Sequence, residues 1–145
     1  MRRLAAVLVL AAAPALAQSP GPSVPAAPAI TPSRFDGSWE VTMTCASSAE
    51  IGLGYTTRFL AEVRGGQLSA ESAGPPDAGR VKLEGPIRSD GNASLRAESE
   101  PPRDARRAGR RSLERWTAEA QFVGSHGTGR RVDQRRCDLL FQRRR

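Results

Sequence analysis

Apolar and polar residues alternate strictly in the stretch Phe35 to Cys45, FDGSWEVTMTC. Trp39, Val41, Met43 and Cys45 share one side, and Glu40, Thr42 and Thr44 share the other. A period of two predicts a half-buried strand. A second such run stands near the far end of the chain, where Cys137, Leu139 and Phe141 share a side. Laid antiparallel, the two runs set Cys45 against Cys137, Met43 against Leu139 and Val41 against Phe141. First and last strands would then close a barrel.

The middle of the chain repeats the pattern. Tyr55, Thr57, Phe59, Ala61 and Val63 alternate with polar neighbours, and Gly65-Gly66 reads as a hairpin turn into a short strand near Leu68 and Ala70. Val81, Leu83 and Ile87 mark the next strand, broken by Gly85-Pro86. After the turn Ser89-Asp90-Gly91-Asn92 come Ala93, Leu95 and Ala97, and later Trp116, Ala118, Ala120 and Phe122. Gly124 to Gly129 reads as a turn leading toward Val132, and Ala73–Gly79 and Pro101–Arg111 read as loops. Seven or eight strands with no sustained helical spacing predict an all-β, small antiparallel meander barrel, with a two-sheet β-sandwich as the alternative. Small residues beside Trp116 suit a filled interior better than a roomy one.

The first residues do not join this pattern. Arg2 and Arg3, an apolar run from Leu4 to Ala13, and Ala15-Leu16-Ala17 describe a secretory signal peptide over 1–17, cut after Ala17. The apolar run is too short to span a bilayer as an anchor. Residues 18–33, rich in proline and alanine and without charge, read as a disordered linker. Residues 34–145 remain as one domain, periplasmic or secreted. In such an oxidising space the only two cysteines, Cys45 and Cys137, predict a structural disulfide.

Charge adds a surface question. The formal balance is +7, and removal of Arg2 and Arg3 leaves +5. Two arginine-rich clusters carry the excess: Arg103, Arg106, Arg107, Arg110 and Arg111 in one, and Arg130, Arg131 and Arg135 in the run to Arg145. These are the candidate anion- or partner-binding residues. Lys82 is the only lysine beside 21 arginines, a skew that reads as the mark of a GC-rich genome. Guanidinium forks suit phosphate, sulfate and carboxylate, so an anionic cell-envelope component or a protein is the expected partner. Nucleic acid is disfavoured, because the few aromatics sit at inward positions instead of interleaving with the basic residues.

Candidate chemistry is sparse. Ser125 precedes the one histidine, His126, but neighbours on a turn seldom set a hydroxyl on an imidazole with an acid behind it. No cluster has metal-ligand spacing, and the glycines at 124, 127 and 129 lack phosphate-loop order. The expectation is a binding protein, not an enzyme, without metal or cofactor.

Two resemblances bear on this. Phe35-Asp36-Gly37-Ser38-Trp39 leading to Cys45, then Gly127-x-Gly129-x-Arg131, Arg136-Cys137 and Phe141, resembles a group of small exported alphaproteobacterial β-domain proteins of unknown function, over about Phe35 to Gln142. It implies location and fold only. Gly37-Ser38-Trp39 on a first strand is similar to the GxW of lipocalins and related calycin barrels, where an arginine near the last strand packs across the tryptophan. That resemblance implies this role for Arg135 or Arg136, and either a small-molecule carrier or a protease or lysozyme inhibitor.

Overall fold

The computed structural model describes residues 33–47, 53–72, 79–101, 113–133 and 135–145. The expected leader and all but the last residue of the expected linker lie outside them. Eight strands follow in order: β1 Gly37–Cys45, β2 Tyr55–Arg64, β3 Gln67–Glu71, β4 Arg80–Pro86, β5 Asn92–Glu100, β6 Glu114–Val123, β7 His126–Arg131 and β8 Cys137–Arg143. Each pairs antiparallel with the next, and β1 pairs with β8, so the sheet closes into a meander barrel and not a sandwich. No helix among the described residues is long and apolar enough to cross a membrane.

The β1–β8 seam has the register that the alternation predicts: Val41 faces Phe141, Met43 faces Leu139 and Cys45 faces Cys137. Cys45 and Cys137 form the disulfide. The next rung, Ala46 to Arg136, carries a backbone hydrogen bond, so the cysteines occupy a non-hydrogen-bonded pair, where side chains stand closest. The bond therefore joins strands already in contact.

The interior is filled by unequal contributions. Walls β5, β6 and β7 supply Ala93, Ala97, Ala118, Ala120, Gly127 and Gly129 beside Leu95, Trp116 and Phe122, while Trp39, Met43, Phe59, Leu83, Leu139 and Phe141 fill from the other strands. Phe122 is the hub: its ring meets Trp39 edge-on at 5.3 Å, Phe141 at 4.8 Å and Phe35 at 6.0 Å. Such tilted and edge contacts suit the ring quadrupoles.

Two expectations about chain breaks are corrected. Strand β4 continues through Gly85 and Pro86, and Ile87 still bridges Ala93. Only Gly124 and Ser125 turn at the next hairpin, and His126–Arg131 is a strand. Its glycines hide it from a hydrophobic pattern. They are needed because a Cβ at Gly127 would meet Phe122 Cδ1 at 2.9 Å, and one at Gly129 would meet Ala120 Cβ at 2.9 Å.

The barrel's two ends differ. Tight connections at 65–66, 87–91 and 124–125 gather at one end, the hairpin end. The described ends of the longer ones, at 46–47 and 53–54, 72 and 79, 101 and 113, and 132–133 and 135–136, gather with the disulfide at the other, the loop end.

Candidate functional site at the loop end

Inward positions on β7 are Gly127, Gly129 and Arg131, so strand parity alone aims Arg131 into the loop end of the barrel. Its guanidinium lies over the Trp116 ring, 4.9 Å from the centroid, and its side chain is 3% exposed. Trp116 is held in turn by its indole N–H, which donates to Ser99 Oγ at 2.8 Å. A buried charge needs partners. Arg131 donates from Nε and Nη2 to Asp133, the latter at 2.7 Å, and from Nη2 to Glu114. Burial alone would lower its pKa, but the bonds to Asp133 and Glu114 outweigh that and raise it above the ordinary arginine value.

Arg135 sits on the same end, 7% exposed, with its guanidinium 4.9 Å from the centre of the Tyr55 ring. Nη2 donates to the Leu53 carbonyl at 2.7 Å, and the backbone N–H donates to Asp133 Oδ1 at 3.2 Å. Its Nε is buried without a hydrogen-bond partner among the described residues. Around these two arginines the loop end exposes apolar side chains: Leu53 at 88%, Val132 at 59%, Leu113 at 43% and Tyr55 at 41%.

From this end an open groove of about 600 Å³ runs onto the outer wall of β4, β5 and β6. Its sides are ladders of alternating charge: Lys82, Glu98 and Arg115 in one row, Glu84, Arg96 and Thr117 in the next. Lys82 meets Glu84 at 2.9 Å and Arg115 meets Glu98 at 2.8 Å. Their hydrogen bond raises the Lys82 pKa and lowers that of Glu84. Such a surface suits polar groups of a partner chain better than an apolar ligand.

The structure disperses the C-terminal arginine run. Arg130 points outward and pairs with Asp138 at 3.3 Å, Arg131 and Arg135 fold into the loop end, and Arg143, Arg144 and Arg145 stand at the hairpin end. Arg103, Arg106, Arg107, Arg110 and Arg111 lie outside the described residues. The arginine across Trp39 is neither Arg135 nor Arg136. It is Arg143, the direct β8 partner of Trp39, 5.9 Å from the ring centroid. Arg135 cannot serve because it precedes β8 at the opposite end of the barrel. Among the described residues four guanidiniums lie over rings, the fourth being Arg34 on Phe35. At these positions arginine has a structural use that genome composition does not supply, since a planar cation stacks where an ammonium does not.

Ser125 Oγ does reach His126 Nδ1, at 3.1 Å. Both are exposed on the hairpin end, and among the described residues no carboxylate bonds to the ring. Among the described residues no group of three His, Cys, Asp or Glu side chains could hold a metal ion. Sequence reasoning passed over Leu53, Tyr55, Glu114, Trp116 and Asp133 as members of a site. The available signal was the continuation of inward parity from Gly127 and Gly129 to Arg131.

No protein-family model, curated protein or solved structure gives a significant match to the chain.

Proposed function

We propose that this chain is an exported, non-catalytic interaction module that grips a protein partner with the loop end of its barrel. The observation that carries the reading is the contrast between a filled interior and an unsatisfied rim. Trp39, Met43, Phe122 and Phe141 are fully buried inside, whereas four of the seven large apolar side chains exposed among the described residues, Leu53, Val132, Leu113 and Tyr55, lie at the loop end, with Leu60 and Leu140 on the outer wall and Val123 at the hairpin end. Exposed apolar residues scattered singly need no explanation, but a cluster rimmed by charge marks interaction sites. The disulfide fits an oxidising compartment and stiffens the end that would bind.

The placement of Arg143 over Trp39 supports the calycin-like reading of Gly37-Ser38-Trp39. Of the two roles that reading implies, the filled interior favours the inhibitor over the small-molecule carrier. A disulfide-closed barrel with exposed apolar side chains at one end and an adjacent groove has the form needed to occupy another protein's cleft.

The test is a pull-down of residues 18–145, disulfide formed, on isolated envelope fractions at low and high salt, beside the variants Leu53→Asn and Val132→Asn. One protein retained at high salt by the parent and lost by either variant supports the reading. Retention that vanishes at high salt, unaffected by the variants, would replace it with a charge-driven anionic partner.

A further inference from the structure

Two buried arginines share the loop end, and they are satisfied differently. The Arg131 guanidinium is bonded to two carboxylates, Glu114 and Asp133. Arg135 has none among the described residues. Among those residues its guanidinium holds one backbone carbonyl, that of Leu53, and its Nε has no acceptor. Asp133 is close in sequence but spends both oxygens on Arg131 and on the Arg135 backbone N–H. A buried donor without an acceptor costs about 1–3 kcal/mol, and an uncompensated buried charge costs more. An acceptor brought in by a partner would complete it.

We propose that Arg135 is the anchor point for a carboxylate side chain, aspartate or glutamate, of the protein partner. This rests on the loop-end reading and names its chemistry. The guanidinium edge formed by Nε and Nη presents two parallel donors, the geometry that a carboxylate accepts in fork fashion. A singly charged group is favoured over phosphate, because Asp133 stands beside Arg135 and repels a second negative charge. The surroundings suit a side chain with an apolar stem, since Tyr55 stacks on one face of the guanidinium and Leu53 is almost wholly exposed beside it. On binding, the incoming carboxylate takes over the bond that Nη2 now gives to the Leu53 carbonyl, adds one to Nε, and Leu53 and Tyr55 close over its stem.

The experiment follows the arginine side-chain Nε–H resonances of the disulfide-bonded domain by NMR. The probe is N-acetylglutamate amide, whose only charge is the side-chain carboxylate, titrated at fixed ionic strength beside N-acetylglutamine amide and inorganic phosphate. The expected result is a saturable shift of the Arg135 Nε–H with the glutamate probe alone, and binding of that probe, read in both proteins on the backbone N–H resonances of Leu53 and Tyr55, weakened about tenfold or more in Arg135→Lys. No saturable shift, or an equal one with the glutamine probe or with phosphate, overturns the proposal. Should Arg135→Lys fail to fold, the parent titration still decides. The two readings fail separately. A partner lost by Leu53→Asn or Val132→Asn but held undiminished by a folded Arg135→Lys keeps the loop end and removes the anchor.

Discussion

Arg143 faces Trp39 directly across the β1–β8 seam and folds its guanidinium over the indole while donating to the carbonyls of Arg34 and Asp36. The indole N–H donates to the Phe35 carbonyl at 2.9 Å, so the turn that brings Phe35 into the core is held from both sides. Arg143→Ala should destabilise the barrel by about 1–2 kcal/mol, through the lost cation–π contact and the freed carbonyls. Arg143→Lys should recover only part, because an ammonium cannot fork to two carbonyls and stack at once. Urea unfolding of the three proteins, read by tryptophan fluorescence, checks this; equal midpoints for Lys and Arg would show that charge alone matters.

The disulfide closes a loop of 92 residues between strands that are already paired. Its main effect is therefore on the unfolded chain, where it removes loop-closure entropy worth about 4–5 kcal/mol. A Cys45→Ser/Cys137→Ser double variant should lose stability on that scale and keep the β-sheet circular dichroism of the parent. A loss under about 1 kcal/mol would mean that the unfolded chain keeps the seam together without the bond.

Gly127 is set by Phe122. A methyl group there would meet Phe122 Cδ1 at 2.9 Å and Phe141 Cβ at 3.2 Å, at the centre of the aromatic cluster. Gly127→Ala should cost about 1–3 kcal/mol, the range of overpacked cores. The cause is tested by repeating the substitution in a Phe122→Leu background, where the smaller side chain leaves room. An undiminished cost there would place the effect in the backbone and not in the clash.

These arginine and glycine roles show where the chain was readable and where it was not. Trp39 to Cys45 and Cys137 to Phe141 carry both an alternating pattern and a cysteine, so parity and register were fixed together. Strand β7 carries glycine at its inward positions, and glycine gives a hydrophobic pattern nothing to count. With that strand unseen, Arg131 read as one of a basic run instead of the inward residue that ends the row Gly127, Gly129, Arg131. Arg143 ends the row Cys137, Leu139, Phe141 in the same way at the other end. Both arginines close an apolar row with a ring to lie on, Trp116 and Trp39. Arg135 was unreadable for another reason: its contacts, Tyr55 and the Leu53 carbonyl, come from a part of the chain remote in sequence.

Asp36 gives the fold a defined response to acid. Its carboxylate accepts from the backbone N–H groups of Gly66, Ser33 and Gly65, each at 2.9–3.0 Å, and so ties the entry of β1 to the β2–β3 turn. The Gly66 bond first, then that from Ser33, holds its pKa below the ordinary value of 3.8. An acid with a depressed folded pKa binds fewer protons folded than unfolded, so stability rises with pH between the two values. The contribution is complete above about pH 4 to 5 and is lost as pH falls through the folded pKa. Asp36→Asn keeps one acceptor oxygen and no charge, so it should lower the unfolding midpoint at pH 7. That deficit should shrink as pH drops below 3.8, where the parent also loses its anion. Glu84 and Asp90, whose pKa values are likewise lowered, titrate in both proteins and cancel in the comparison. A deficit that stays constant from pH 7 to pH 2.5 would show that the hydrogen-bond geometry, and not the charge, secures the turn.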